Sequence, residues 1–179
     1  MTETSGLHLW MMRATFAAVA VLLLLGNLLP LQTLPRVWAG PDLLFCFAMA
    51  WSVRRPEYVP LGLLAAVFFT ADLVLFRPPG LGAALMLIAC FDLQGRMRRL
   101  RDSGFLAEWS RAALMIAVSA VAYRVILAVL LVPVPSLELT IFHTVATIAV
   151  YPIVVGVSAL LFGVRLSAPG DLDSRGQRL

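Results

Sequence analysis

Two ionisable residues of opposite charge lie deep inside apolar segments, where they could form a buried ion pair. Asp72 and Arg124 each follow the predicted start of their segment, at Pro60 and Ala112, by twelve residues. If both segments cross a membrane, as the composition indicates below, a rise of 1.5 Å per residue places both side chains about 18 Å from the same membrane face. Charges inside a membrane are costly, and pairing lowers that cost. The spacing therefore predicts an Asp72–Arg124 pair, in which losing one partner is worse than losing both.

A second group of polar residues is predicted near the opposite, outer face of the membrane. Asp42 and His143 fall within about 10 Å of that face, because their segments enter the membrane there. Asn27 and Arg77 lie at the same boundary. Such a group can be a packing layer that hydrogen-bonds helices together, or it can line a pocket or a partner-binding site. The sequence leaves both interpretations open.

Signatures of catalysis and metal binding are missing from the sequence. His143 has no second histidine or cysteine near it in sequence, whereas a metal site needs several converging ligands. The chain contains no phosphate-binding Gly-rich loop, no His-Glu-x-x-His helix and no Gly-x-Ser-x-Gly turn. The prediction is a protein that is not an enzyme and that carries no metal and no cofactor.

The composition indicates that a membrane-embedded helical bundle positions these residues. Of 179 residues, 61% are hydrophobic and 13% are charged, with a mean hydropathy of +0.92. That leaves too little polar surface to enclose a water-soluble core. A span needs about 17–25 residues, so the chain has room for about six spans. We expect an all-α polytopic integral membrane protein with six transmembrane helices.

Proline, glycine and arginine divide the chain into these six spans. The predicted spans cover residues 7–29, 37–53, 60–76, 81–96, 112–132 and 137–162. Together they form one membrane domain over residues 1–166, followed by a polar tail over residues 167–179. The turn from Arg77 to Gly80 is so short that the third and fourth spans must be antiparallel neighbours.

The arginines predict which side each loop faces. All 14 basic residues of the chain are arginines. Eleven fall on one side of the predicted spans: Arg13, Arg54, Arg55, Arg96, Arg98, Arg99, Arg101, Arg111, Arg165, Arg175 and Arg178. The other side receives only Arg36 and Arg77. Because arginine near span ends is retained in the cytoplasm, both termini and the tail are predicted to be cytoplasmic.

Two sequence features are candidate contacts for other molecules. Arg96, Arg98, Arg99 and Arg101 form a cluster that could bind anionic lipid or an acidic partner on the cytoplasmic side. The arginines lack the recognition-helix or aromatic context of a nucleic-acid binder, so no nucleic acid is expected. Ala14 and Ala18 are spaced four residues apart in the first span, and this small-residue spacing favours close helix packing.

Several short motifs resemble the MreD family of bacterial rod shape-determining membrane proteins. Pro41-Asp42-Leu43-Leu44 is similar to the family's entry into the second span, although Gly40 stands where arginine is frequent. The pattern of Gly62-Leu63-Leu64, Ala71-Asp72-Leu73 and Pro79-Gly80-Leu81-Gly82 resembles its third and fourth spans. Tyr151-Pro152 is similar to a late aromatic-proline pair. The resemblance covers about residues 30–165.

This resemblance implies a multi-pass protein of the bacterial inner membrane with no enzymatic activity. It would be a scaffold of the cell-elongation complex that controls rod shape and lateral peptidoglycan synthesis. The partner it implies is MreC, with peptidoglycan synthases and, indirectly, the MreB filament as further partners. These expectations come from the resemblance alone.

A different class of function stays open beside the scaffold. The MreD family is itself distantly similar to the substrate-binding membrane subunits of energy-coupling vitamin transporters. The outer polar group and the Ala14/Ala18 surface also fit such a subunit. The distinguishing feature would be a pocket of roughly 300–1,000 Å³ that buries a small ligand.

Overall fold

The computed structural model describes residues 3–28, 40–99 and 104–163, and all regular secondary structure in this part of the chain is helical. The predicted tail over residues 167–179 lies outside the described residues. The helices are α1 (Glu3–Leu28), α2 (Leu43–Arg54), α3 (Leu61–Val74), α4 (Leu81–Arg99), α5 (Phe105–Val129) and α6 (Leu137–Phe162), with one 3₁₀ turn at Pro56–Tyr58. The all-α class predicted from composition is therefore confirmed.

The six helices fall into three long and three short ones. Three stretches, Gly6–Leu28, Phe105–Val129 and Leu137–Phe162, are long and apolar enough to cross a membrane. The apolar parts of the others, Leu43–Arg54, Leu61–Val74 and Leu81–Gly95, have fewer than 18 residues. At 1.5 Å per residue, α2 and α3 extend only about 18–21 Å, less than a hydrocarbon layer of about 30 Å.

The long helices leave most of their apolar surface uncovered. Only 17% of the most apolar window of α1, 17% of that of α5 and 22% of that of α6 is buried inside the protein. A water-soluble protein does not expose apolar helices to this extent, because the cost of hydrating them is too high. The exposed surface is suited to contact with lipid.

The short helix α2 lies at the centre of the bundle. It contacts α1, α4 and α6, and every residue from Leu44 to Ser52 is buried. Asp42 sets its start, because the side chain accepts a hydrogen bond from the Phe45 backbone N–H. Aromatic rings surround its C-terminal half, which the arginine pattern predicts to be the inner one, and Trp51 there contacts Phe16 and Phe162. Both ends of α2 are thus placed in contact with several other helices.

Two antiparallel pairs, α3 with α4 and α5 with α6, complete the bundle. The sixth predicted span agrees with α6, which covers Leu137–Phe162. The fifth differs at its start, since α5 begins at Phe105 rather than at residue 112. The extra turns bring Glu108 and Trp109 into the helix, and both side chains make polar contacts with other helices.

Helices α3 and α5 end in the same unusual way. In each, the residue after the cap has a positive φ, 52° at Phe76 and 56° at Leu131. The next N–H, of Arg77 or Val132, bonds back to the carbonyl of Asp72 or Leu127. This Schellman geometry normally uses glycine, because a side chain is disfavoured in the left-handed region. Here two large apolar residues occupy it, and both are exposed.

Candidate functional site: two polar layers in an apolar bundle

The first layer is a buried ion pair at the inner end of α2. Arg54 Nη1 lies 2.6 Å from Glu108 Oε1, and its Nη2 lies 3.0 Å from Oε2. The Tyr151 hydroxyl donates a third hydrogen bond, of 2.7 Å, to Glu108 Oε1. Arg54 is 7% exposed and Glu108 2%. The bidentate ion pair and the third hydrogen bond compensate both buried charges. We call Arg54, Glu108 and Tyr151 the inner network; it joins α2, α5 and α6.

Neighbouring residues extend the same junction between α5 and α6. Pro152 has no backbone N–H, so it cannot bond to the carbonyl of Ile148 four residues earlier in α6. The indole Nε1 of Trp109 donates to that carbonyl at 3.0 Å. Two adjacent residues of α5, Glu108 and Trp109, therefore bond to α6, one to the Tyr151 hydroxyl and the other to the Ile148 carbonyl that Pro152 leaves without a helical donor. The aromatic-proline pair thereby acquires a physical role.

The sequence reasoning missed this inner network. The arginine pattern puts Arg54 at the cytoplasmic boundary, where arginine usually meets headgroups, and the predicted fifth span begins only at residue 112, after Glu108. The signal that could have suggested the pair is the presence of one arginine and one glutamate at the ends of two apolar segments, where each needs a partner if it is buried. A glutamate beside Trp109 is a further sign, because tryptophan marks a membrane boundary.

A second contact on the inner side links α1 to the 3₁₀ turn. The Arg13 guanidinium donates through Nε and Nη2 to the backbone carbonyl of Glu57, at 3.2 and 3.1 Å. Glu57 lies in the 3₁₀ turn between α2 and α3, and its carboxylate is 3.5 Å from Arg55. Because the Arg55 and Glu57 side chains are well exposed, their ion pair stabilises the fold much less than the inner network does.

The outer layer contains three of the four residues predicted there. Arg77 Nη1 lies 3.8 Å from Asp42 Oδ2, and the two side chains are 32% and 11% exposed. His143 Nδ1 is 2.6 Å from the carbonyl oxygen of Gly40, beside Asp42 in sequence. Asn27 does not join them through a hydrogen bond, since its side chain donates to Leu23 in its own helix. We call Asp42, Arg77 and His143 the outer cluster.

Thr147 links this cluster to the helix beneath it. Its hydroxyl accepts a hydrogen bond from the Asp42 backbone N–H at 3.0 Å and donates one to the His143 carbonyl at 2.6 Å. Its own carbonyl accepts from Cys46 Sγ at 3.3 Å. The outer start of α2 is thus held against α6, while the ionic part of the cluster stays partly open.

Asp72 and Arg124 do not form the predicted ion pair. Asp72 is 1% exposed, and its Oδ2 accepts hydrogen bonds from the backbone N–H groups of Gly80 and Ala83, at 3.0 and 2.9 Å. Those groups are free because they begin α4, and a helix N-terminus favours a negative charge. The carboxylate therefore caps the next helix instead of pairing with an arginine.

Gly82 makes this capping contact sterically possible. A Cβ atom at this position would overlap Asp72 Oδ1 and lie 3.2 Å from Cγ. The carboxylate can approach the first turn of α4 so closely only because residue 82 has no side chain.

The Arg124 guanidinium finds its hydrogen-bond acceptors within the α5–α6 hairpin. Its Nη1 donates to the carbonyl of Pro135 at 2.7 Å and to the hydroxyl of Thr140 at 2.6 Å. A third contact, of 3.3 Å, reaches the carbonyl of Ser136. Equal depth along two segments did not imply contact, because depth fixes neither the rotation of a helix nor its neighbour.

The remaining predicted contact residues are placed as follows. Ala14 and Ala18 are exposed on α1, whose buried face instead carries Phe16 and Ala20. Their role in close packing stays a prediction, for a helix outside this chain. Arg101 lies outside the described residues; Arg96, Arg98 and Arg99 belong to α4, but their side chains are not among those described.

Cavities at the edges of the described part of the bundle include two small ones. One, of about 140 Å³, is lined by apolar residues of α1 and α3 together with Thr70. The other, of about 110 Å³, lies between the 3₁₀ turn, α3 and α4. No residue of the outer cluster lines either one. Within residues 3–28, 40–99 and 104–163, no group of three or more His, Cys, Asp or Glu side chains could hold a metal ion.

The chain matches no protein-family model, no curated protein and no solved structure. The inner network and the outer cluster are therefore interpreted from their own geometry.

Proposed function

We propose that this chain is a non-enzymatic scaffold of the MreD type, a multi-pass protein of a bacterial inner membrane. In this role it binds MreC and helps to control rod shape and lateral peptidoglycan synthesis. Peptidoglycan synthases and, indirectly, the MreB filament are its further partners, and anionic lipid contacts its basic cytoplasmic side. The proposal needs no cofactor.

The contact between Asp72 and the start of α4 carries this proposal. The Asp-Leu and Gly-Leu-Gly motifs are the densest part of the resemblance to MreD, and they are the residues that fit together here: Asp72 accepts from the Gly80 N–H and needs the bare Cα of Gly82. The turn alone brings the two motifs near each other, but the contact itself needs a carboxylate at position 72 and no side chain at position 82, and these two requirements support the resemblance.

The other motifs support the same proposal. Pro41-Asp42 stands at the start of α2, where Asp42 caps the helix. Tyr151 of α6 donates to Glu108 of α5, and Pro152 leaves the Ile148 carbonyl without a helical donor, so that it accepts from Trp109 instead. Each motif has a structural reason to be present in a scaffold that must hold its helices in fixed positions.

We further propose that all six helices cross the membrane, with both termini in the cytoplasm. Contacts between distant side chains support this up-and-down arrangement. Residues predicted on the outer side meet one another, as in the Asp42–Arg77 pair, and residues predicted on the inner side do the same, as in the Arg13–Glu57 and Arg54–Glu108 contacts. Fusions of alkaline phosphatase and of green fluorescent protein after Arg55, Arg77 and Val132 test this topology.

The alternative, a vitamin-type transporter subunit, has less support. Cavities of about 140 and 110 Å³ are smaller than the roughly 300–1,000 Å³ of most ligand pockets. In the outer cluster His143 contacts the Gly40 carbonyl, and Asp42 caps α2 and lies near Arg77, so the cluster resembles the packing layer more than a ligand cradle.

Purification of the tagged protein from its native membrane in mild detergent tests the scaffold directly. We expect mass spectrometry to identify MreC and wall-synthesis enzymes in amounts above those recovered with an unrelated six-span protein. Recovery of coupling ATPase subunits, or of a tightly bound small molecule, would overturn the scaffold in favour of transport. An Ala14→Leu/Ala18→Leu variant, which fills the exposed small-residue surface of α1, tests whether that surface binds the MreC span.

A further inference from the structure

The turn between α3 and α4 lies well below the outer end of the bundle. Arg77 in this turn contacts Asp42, and the Asp42 backbone N–H bonds to Thr147 of α6. Thr147 comes ten residues after Leu137, the first residue of α6. Ten residues correspond to about 15 Å along a helix axis. The α6 helix therefore continues outward by about this distance beyond the level of Asp42.

Helix α5 accompanies α6 through this extra height. Arg124 contacts Pro135, Ser136 and Thr140, all at or near the outer end of α6. The helix then continues to Val129, and the exposed Leu131 follows. The α5–α6 hairpin thus rises on one side of the outer surface, while α2, α3 and α4 end lower on the other.

The low turn carries groups that hydrocarbon does not tolerate. Arg77 is a half-buried cation whose nearest carboxylate oxygen, on Asp42, is 3.8 Å away, too far for a direct hydrogen bond. The backbone N–H groups from Leu75 to Gly80 are bonded, but the carbonyls of Phe76 and Arg77 accept no hydrogen bond from the backbone of the described residues, and such groups are costly in the hydrocarbon layer. Headgroups or water must therefore reach the level of this turn.

We propose that the outer leaflet thins beside the α3–α4 hairpin, so that phospholipid headgroups reach down to Arg77 while their chains contact Phe76. Phe76 is 94% exposed, which suits an apolar anchor just beneath a lowered headgroup layer. Bilayers adapt to short hydrophobic segments by local thinning at modest cost. Helix α3, of 14 residues, is such a segment.

Leu131 provides a matched reference for Phe76. Both residues follow the cap of a Schellman motif, both have a positive φ, and they are 92% and 94% exposed. They differ in height, because α3 ends at the low turn and α5 ends on the raised hairpin. A probe at each position compares two surroundings with the local backbone held constant.

The test uses nitroxide spin labels at Phe76→Cys and Leu131→Cys in the full chain. The protein is reconstituted in phosphatidylcholine vesicles with chains of fourteen, eighteen or twenty-two carbons, and collision with oxygen and with a water-soluble nickel chelate is measured. Cys46 and Cys90 are buried and should not react, which the parent protein checks. Pro79→Cys and Val132→Cys form a second pair if either first variant does not fold.

Bilayer thickness should affect the two labels differently. At position 76 the ratio of oxygen to nickel accessibility should rise roughly threefold or more from the thinnest to the thickest bilayer, because headgroups follow the turn less completely as mismatch grows. At position 131 it should stay low and nearly constant.

Two outcomes would overturn the proposal. A label at position 76 that stays fully accessible to nickel in every bilayer would mean that the turn is not recessed. A label shielded from both reagents would mean that protein, rather than lipid, covers it. The inference rests on the proposed six-span topology but not on MreC: failure to recover MreC leaves the depth profiles unchanged, and flat profiles leave the co-purification result unchanged.

Discussion

At the inner end of α2, Arg54 and Glu108 meet through two short contacts of 2.6 and 3.0 Å, and both are buried. At its outer end, Asp42 and Arg77 stand 3.8 Å apart and remain partly exposed. Both pairs join an arginine to a carboxylate, but the inner pair makes two direct hydrogen bonds and is supported by Tyr151, whereas the outer pair is too far apart for a direct hydrogen bond. The difference suggests an inner end that sets helix positions and an outer end that can respond to lipid or protein.

The largest effect is expected from breaking the inner pair on one side. Glu108→Ala leaves the Arg54 guanidinium buried without its carboxylate, and breaking such a pair costs about 3–5 kcal/mol. Thermal unfolding in mild detergent should show a strongly lowered midpoint. The Arg54→Leu/Glu108→Leu double variant should be clearly more stable than Glu108→Ala, because it removes both charges. A double variant as unstable as the single one would argue against the compensated pair.

Tyr151→Phe is the matched control for the inner network. It keeps the ring of a fully buried residue and removes only the hydroxyl that donates to Glu108. A hydrogen bond to a charged group contributes about 1.5–3 kcal/mol, so the loss should be smaller than that caused by Glu108→Ala.

Asp72 shows that the outer half also contains one rigid contact. Gly82→Ala should lower stability by about 1–3 kcal/mol, because the new Cβ overlaps the carboxylate and displaces it from the start of α4. Gly62→Ala in α3 is the control: nothing lies within 4 Å of its Cβ, so it should be neutral or slightly stabilising. Equal midpoints for the two variants would disprove the steric argument.

A smaller effect is expected in the outer cluster itself. Asp42→Asn keeps a good N-cap for α2 and removes the charge, and partly exposed ion pairs contribute about 0–1 kcal/mol. Its unfolding midpoint should therefore lie close to that of the parent protein, with Asp42→Ala lower because the cap is also lost. If Asp42→Asn were as harmful as Glu108→Ala, the contrast between the two ends of α2 would not hold.

Sequence reasoning found the all-helical class, the bounds of α6 and three members of the outer cluster. These follow from apolar run lengths and from depth, which the chain encodes locally. It missed the Arg54–Glu108 pair and predicted an Asp72–Arg124 pair that does not form. In helices that are apolar nearly all round, periodicity does not fix which face meets which neighbour. Asp72 and Arg124 each bond to groups in or just after the turn that follows their own helix. The depth of a residue along its segment does not predict such partners.

The smallest effect, near zero, is expected for the coupling between Asp72 and Arg124. Asp72 bonds to Gly80 and Ala83, whereas Arg124 bonds to Pro135 and Thr140, so the two share no partner. Effects at sites without shared partners usually add to within about 0.5 kcal/mol. Asp72→Asn, Arg124→Gln and the double variant should therefore give additive losses of stability in the same detergent.

The coupling energy of the Arg54–Glu108 pair, measured in the same way, is the reference for the coupling between Asp72 and Arg124. Its two residues share two hydrogen bonds, so its coupling should exceed about 1 kcal/mol. A coupling between Asp72 and Arg124 as large as this would mean that the two residues meet in a state other than the one described here. Additivity there, together with strong coupling between Arg54 and Glu108, would show that the rigid ionic contact of the bundle is the one at the C-terminal end of α2.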